Sequence, residues 1–400
     1  MLLKDKTILL AISGSIAFYK AYELISMLKK EGLKVKVLLS DGVLNFASHL
    51  SFEALCDGVL SKENETWVGA KNVGQMCEND KNHIAFSKDC DAIIFAPASV
   101  NSINKLANGI ADNLFIQTLI ASNAPLIIAP AANTRMLNHF STQNSLTLLK
   151  KNGATVIEPI SKVLACGELG VGGLAELESI IFALKRVLLK DEFFVGKKVV
   201  ITGGGTREKI DEVRYIGNFS SGKMAKALAD AFYALGATVS LLSSVDFENL
   251  PYESKHFESV AELEALMSEH KNDDFLLMSA AVSDFLPTFH KGKLKKSDFK
   301  QGLSLSLKPA KDLLKNLEFK GKKIGFKLEF EAKNALENAK NSLKEKGLNM
   351  ICLNVLSPTN KAFASDMNAL TLITKDFTED LGLKSKLDLA FEIAKRCKEL

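Results

Sequence analysis

Cysteine is sparse in this 400-residue chain: six residues (Cys56, Cys77, Cys90, Cys166, Cys352, Cys397) stand without a CxxC pair or a histidine at metal-ligand spacing. That excludes a disulfide framework and a zinc-finger site, so a cysteine with chemistry to perform must act alone. Charge of one sign is lacking too, because 51 Lys and Arg face 47 Asp and Glu for a net +4. So even a balance excludes a protein that coats nucleic acid or a membrane surface, although local basic runs can still hold small anions. No apolar run approaches the ~20 residues of a membrane helix. The N-terminus passes through Lys4, Asp5 and Lys6 into a strand with no secretory segment. A cytoplasmic protein is expected, with no nucleic-acid or membrane partner. Tryptophan occurs once, as Trp67, and its surroundings give it no role beyond packing.

The length suffices for two domains with separate cores. In the first half, residues 6–13 read as a buried strand, Gly14 and Ser15 as a turn, 16–30 as an amphipathic helix closed by Gly32, and 34–40 as the next strand. Further apolar strands follow at 91–95, 125–129 and 154–157. Continuous apolar strands alternating with helices predict a parallel sheet covered on both faces. Polar segments 96–105 and 130–136 follow two of these strands. Ligands bind beyond the carboxyl ends of such strands, so both segments are expected to face one cleft.

A helical run at 174–190 and a short connection at 191–196, without a Pro/Ser-rich linker, divide the chain into domains 1–190 and 191–400. The pattern then restarts with ITGGGTREKIDEVRYIGNFSSGKM at 201–224. A strand ends in Gly203, Gly204 and Gly205, which suit a tight turn or a close approach to a ligand. Asn218 to Lys223 precede a helix at 224–235, whose first turn with Ser221 and Lys223 suits an anion. Arg207 and Arg214 lie between the clusters and suit phosphate or carboxylate. The spacing fits neither the Walker loop nor the dinucleotide fingerprint, and three glycines serve equally well as a plain turn. Strands are further expected at 238–243, 274–279 and 324–329, with a basic loop at 291–296.

Four segments of the first half are similar to the flavin-dependent cysteine decarboxylases: Gly14-Ser15-Ile16-Ala17, Pro97-Ala98-Ser99-Val100-Asn101, the loop 130–136, and Ala165-Cys166-Gly167-Glu168. Joined to the 201–224 motif, they resemble the bacterial family that fuses phosphopantothenoylcysteine decarboxylase to phosphopantothenate–cysteine ligase in coenzyme A synthesis. The resemblance implies an α/β protein of two Rossmann-like domains, an N-terminal flavoprotein domain and a C-terminal nucleotide-binding ligase domain, each with a mostly parallel sheet.

The implied roles are specific. FMN would place its phosphate near Gly14, Ser15 and Ser99, with Asn101 and Met136 also in contact, and would oxidise the substrate thiol so that carbon dioxide can leave. His83 matches the family's active-site histidine, Asn133 the residue that orients the substrate carboxylate, and Cys166 the proton donor that quenches the enethiolate. The glycine-rich segment 167–173 is expected to close as a lid. Read as isolated residues, His83 is a surface histidine, Cys166 a buried small hydrophobe and Asn133 a helix cap. Ala132 stands where the family usually has Met.

In the ligase half the resemblance gives Asp284 a nucleotide or Mg²⁺ contact, Lys293 the triphosphate and the acyl-phosphate transition state, and Ala280, Phe326 and Lys346 the CTP. Asn218 would hold the activated acyl group, with Arg214, Ser221 and Lys223 beside it. Asn354 and the segment 363–368 complete the pattern, with Val355 in place of an Asp and Ser342 in place of a Lys. Residues 326–329 (FKLE) are closer to the separate eukaryotic ligases, so CTP and ATP both remain open as the nucleotide. Substrates are expected to be 4′-phosphopantothenate, cysteine and CTP, and the assembly a homo-oligomer of flavin-domain trimers and ligase-domain dimers. A dinucleotide-dependent oxidoreductase and a flavin-binding regulatory subunit are the rival readings.

Overall fold

The computed structural model describes residues 3–67, 81–88, 90–299, 302–330, 332–356 and 365–400. Cys77, Phe363 and Ala364, named above, lie outside the described residues. The chain forms two compact units, Met1–Leu188 and Leu189–Leu400. Among the described residues no helix is long and apolar enough to cross a membrane.

Unit 1 is built on a six-stranded parallel sheet of β1 (Thr7–Ile12), β2 (Lys34–Leu39), β3 (Gly58–Leu60), β4 (Ala92–Ala98), β5 (Leu126–Pro130) and β6 (Thr155–Val156), in the order β3-β2-β1-β4-β5-β6. Every residue of β4 is buried, as its unbroken apolar sequence requires of a strand with helices on both faces. Chain order reverses between β1 and β4, which opens a crevice at their carboxyl ends. The helix read at 16–30 is present, but its first turn, Ile16–Tyr19, is a 3-10 helix before the α-helix Lys20–Lys30.

Residues 169–173 of the glycine-rich segment form the second strand of an antiparallel hairpin, β7 (Ile160–Val163) and β8 (Leu169–Gly173). The Gly167 amide donates to Leu164 O and Gly167 has φ +83°, so Leu164 to Glu168 form a tight turn with Cys166 at its tip.

Unit 2 has an eight-stranded sheet of β9 (Lys198–Gly203), β12 (Thr238–Ser243), β13 (Glu253–His256), β14 (Phe275–Met278), β17 (Lys322–Glu329), β18 (Met350–Val355), β19 (Met367–Ile373) and β20 (Thr378–Ser385). The order is β13-β12-β9-β14-β17-β18-β19-β20, parallel except where β19 and β20 add antiparallel at one edge. Order reverses again, between β9 and β14. Two small ribbons, β10 (Arg207–Lys209) with β11 (Tyr215–Gly217) and β15 (Phe285–Pro287) with β16 (Leu307–Pro309), are formed by loops beyond those strands.

Candidate active sites

The cleft of unit 1 lies at the β1/β4 crevice and has a volume of about 960 Å³. Its walls include Gly14, Ser15, Ser99, Asn101, Asn133, Met136 and Cys166, so all but one of the residues expected to serve the flavin or its substrate come together. The floor is fixed by a serine that sequence reading passed over as the end of a strand. Ser13, fully buried, donates from Oγ to Pro97 O at 2.9 Å and accepts the Ser99 amide at 2.7 Å. Ser15 Oγ donates to Ala131 O at 3.1 Å, tying the first turn to the loop after β5. A hydroxyl at the end of an otherwise apolar strand was the available signal.

Asn133 and Cys166 meet on one wall of the cleft. Asn133 caps the helix Thr134–Asn138 by accepting the Arg135 amide on Oδ1 at 2.9 Å, and its Nδ2 donates to Cys166 Sγ at 3.6 Å. The cap therefore fixes which end of the amide meets the sulfur, so Asn133 is a helix cap that also contacts Cys166. Cys166 is exposed, not the buried hydrophobe of the isolated-residue reading. Its height above Asn133 depends on glycine in β8. A Cβ on Gly172 would stand 2.1 Å from Ala132 O, and one on Gly170 2.3 Å from Thr134 Oγ1. Ala132 meets the hairpin through its backbone, its amide donating to Gly172 O at 3.1 Å, which makes the replaced Met side chain dispensable for this contact.

His83 is the exception. It begins the helix His83–Lys88, with Nδ1 at 3.3 Å from Glu65 Oε1 and its ring edge-on to Trp67 at 5.4 Å, and it is not part of the cleft wall. Trp67 thus has a definite neighbour that its sequence context did not announce.

In unit 2 the glycine run serves packing. Added Cβ atoms at Gly203, Gly204 and Gly205 would lie 2.3 Å from Ala225 Cβ, 2.1 Å from Ser244 Oγ and 2.2 Å from Asn218 O. The close approach is made by the chain's own atoms, and the ligand-approach reading of these glycines is corrected accordingly. A pocket of about 200 Å³ is instead lined by Ser221, Lys223, Ala280, Phe326, Asn354 and Lys386, among others. Phe326 also packs on the core. Lys223 Nζ meets Asp366 Oδ1 at 2.7 Å. Lys386, which the sequence did not single out, is only 6% exposed and donates to Ser365 O. Burial, and then the neighbouring Lys223, hold its ammonium below the usual lysine range.

A second group surrounds the β10–β11 ribbon. Asp211, whose side chain is fully buried, accepts the amides of Val213, Arg214 and Leu294 and the Arg214 guanidinium at 2.6 Å. Arg214 Nη2 also donates to Leu294 O at 3.0 Å. Arg214 is thereby committed to docking the basic loop, with exposed Lys293 beside the docked residue. Burial pushes Asp211 upward, but these hydrogen bonds and Arg214 hold its carboxyl below the usual range. Asn218 Nδ2 donates to Val282 O at 2.9 Å, linking ribbon and pocket. Asp284 is exposed. Among the described residues no three His, Cys, Asp or Glu gather as a metal site.

Lys346 does not join either group. It follows the helix Ala332–Glu345, pairs with Asp312 at 3.0 Å, and gives its carbonyl to Lys323 Nζ. That is where β17 begins, whereas Phe326 and the pocket lie farther along the strand toward its end, and Lys346 is not among the residues that line that pocket.

Comparison with known proteins agrees with this division. Residues 2–189 match the Flavoprotein family, and residues 194–400 match the DNA/pantothenate metabolism flavoprotein C-terminal domain family. The chain is 37% identical over 408 residues to the coenzyme A biosynthesis bifunctional protein CoaBC of Bacillus subtilis (strain 168), covering 98% of this chain and 96% of that protein. It is 36% identical over 400 residues to the protein of the same name from Haemophilus influenzae, covering 98% and 97%. A crystal structure of the C-terminal domain of a CoaBC protein is 33% identical, covers 52% of this chain and 97% of that one, and has a TM-score of 0.43. The full-length similarity, with both family matches in one chain, shows that this protein belongs to the family of bifunctional coenzyme A biosynthesis proteins.

Proposed function

We propose that unit 2 joins cysteine to 4′-phosphopantothenate through an acyl-cytidylate made from CTP, and that unit 1 decarboxylates the product to 4′-phosphopantetheine. The observation that carries the decarboxylase half is the Asn133–Cys166 contact at 3.6 Å on the wall of the β1/β4 cleft. FMN fits that cleft. Gly14 and Gly42 approach so closely that a Cβ on Gly14 would stand 2.9 Å from Gly42 Cα, and the adjacent Ser40 Oγ is buried without a partner. The orphaned hydroxyl, on the wall of a cleft of about 960 Å³, suits a hydroxyl-bearing cofactor whose phosphate meets Gly14, Ser15 and Ser99. FMN, when bound, supplies the redox chemistry that turns the carboxylate into a leaving group. Asn133 would orient that carboxylate, and Cys166 Sγ would deliver a proton after carbon dioxide leaves, while the two electrons drawn from the thiol return from the bound cofactor to give the product thiol.

In unit 2 the substrate carboxylate attacks the α-phosphate of CTP and pyrophosphate leaves. The amine of cysteine then displaces CMP. Lys223 and Ser221 face phosphate oxygens in the pocket, and Lys293 brings its charge where the transition state needs it. Asn218, its Nδ2 held by Val282 O and Ala281 O, keeps its side-chain oxygen for the acyl group. Asp284 is a single exposed carboxylate, so a Mg²⁺ here takes most of its ligands from the triphosphate and water.

Purified chain given 4′-phosphopantothenate, cysteine and Mg²⁺, with CTP or ATP in turn, is expected to form pyrophosphate and carbon dioxide with CTP. Both products with ATP alone would replace CTP as the nucleotide; pyrophosphate without carbon dioxide in FMN-loaded protein would refute the decarboxylase half.

The assembly is a homo-oligomer in which a neighbour's His83 completes the flavin cleft, since His83 lies outside the cleft of its own chain. Exposed Phe140, Val163 and Leu169 supply apolar surface for such contacts. Mixing two inactive variants, His83→Asn and Cys166→Ser, after dissociation and reassembly should restore part of the decarboxylase activity. Mixtures that stay as inactive as their components would argue that each cleft is complete within one chain.

A further inference from the structure

The flavin cleft carries a cation that no role above uses. Its charged wall residues are Asp41, Lys105, Asp112 and Lys162. Asp41 meets Lys62 at 3.2 Å and Asp112 meets Lys105 at 2.6 Å. Among the described residues Lys162 has no ion-pair partner. Its stem is nevertheless fixed: Gly173, on the paired strand, has no side chain, and a Cβ there would come within 2.8 Å of Lys162 Cε and 2.9 Å of Cδ. The bare backbone lets the methylene chain lie against the same hairpin that carries Cys166, so Lys162 lines the cleft with its stem packed on the protein.

We propose that Lys162 binds the 4′-phosphate of phosphopantothenoylcysteine and makes unit 1 selective for the phosphorylated substrate. The proposal rests on the decarboxylase reading above. That substrate offers two anionic ends. An ammonium held against the carboxylate would stabilise the ground state more than the transition state, because that group loses its charge as carbon dioxide forms. The 4′-phosphate keeps its charge throughout, so a fixed cation can hold it without opposing the reaction. The cofactor phosphate is served at the other turn, by Gly14, Ser15 and Ser99, which leaves the substrate phosphate for Lys162.

The test compares full-length, FMN-loaded wild type with Lys162→Gln on 4′-phosphopantothenoylcysteine and on pantothenoylcysteine, following carbon dioxide against substrate concentration. Loss of one charge-assisted contact should raise KM for the phosphorylated substrate by about tenfold to a hundredfold, with kcat nearly unchanged. Kinetics on the unphosphorylated substrate should not move, and Lys162→Arg should recover most of the loss. Equal losses on both substrates, or a fall in bound FMN, would make Lys162 a support of the hairpin or a cofactor contact and overturn the proposal. Wild-type kinetics in the variant would overturn it as well. A wild-type chain that releases carbon dioxide from neither substrate would sink the decarboxylase reading and this inference with it.

Discussion

Replacing Cys166 by serine should lower 4′-phosphopantetheine formation by at least about a hundredfold, the lower end of what a positioned general acid contributes, while pyrophosphate release by unit 2 stays at the wild-type rate. A thiol titrates near 8.5 and an alcohol far above the working range, so serine has the shape of the donor without its acidity. Position is not in question, because the turn that holds residue 166 is made by Leu164, Gly167 and Glu168 backbone and by the glycines of β8. The Asn133 amide would still point at the new hydroxyl, its other end being held by the Arg135 amide. Carbon dioxide from a first turnover should therefore survive in the variant when product does not. Quantifying both in one quenched-flow series checks this, and wild-type product formation by the serine variant would remove Cys166 from the mechanism.

The second large effect is expected at Asp211, which touches no proposed ligand. Its buried carboxylate accepts four hydrogen bonds, and two of the partners, the Arg214 guanidinium and the Leu294 amide, hold the loop beside Lys293. Asp211→Ala leaves a guanidinium and three amides without their acceptor, which removes the anchor of the loop. Undocking the loop displaces Lys293, and a misplacement on the order of 1 Å lowers rates about a hundredfold. Pyrophosphate formation should fall by that factor, while carbon dioxide release from supplied 4′-phosphopantothenoylcysteine, a reaction of unit 1, continues. Should the alanine variant lose the fold of unit 2 by circular dichroism, Asp211→Asn keeps the shape and removes only the charge. A wild-type ligase rate in a folded variant would show that the loop needs no such anchor. The carboxyl is depressed in the folded state, so its contribution is present in full above the ordinary aspartate range near 4 and fades only as pH falls through the lower folded value. Loop docking should accordingly be flat through neutral pH and fail only in acid.

Much of this was legible in the residue pattern because it depends on local rules. Apolar strands such as Ala92–Ala98 and Phe275–Met278 announce a covered parallel sheet by their unbroken hydrophobicity. A parallel sheet in turn dictates that chemistry gathers where the strands end, which is why segments 96–105 and 130–136 were expected at one cleft before any geometry was known. The hairpin around Cys166 was not legible. Its glycines read as looseness, whereas in the folded chain Gly170 and Gly172 are the points of tightest contact with the 132–134 loop. The same inversion holds at Gly203 to Gly205, since a missing side chain looks the same in sequence whether a ligand or the protein's own backbone fills the space.

The sequence by itself determined the two α/β units, the ends of the strands where each site would lie, and the residue types available there, because periodicity and strand composition are properties of adjacent residues. Only the tertiary structure decided which of those residues meet. It joined Cys166 to Asn133 across 33 positions, bound Arg214 to a buried Asp211 and a loop 80 residues away, placed His83 with Glu65 and Trp67 outside the cleft, and set Lys346 where β17 begins. Contacts between residues far apart in the chain are fixed by packing and hydrogen-bond geometry that no single segment encodes.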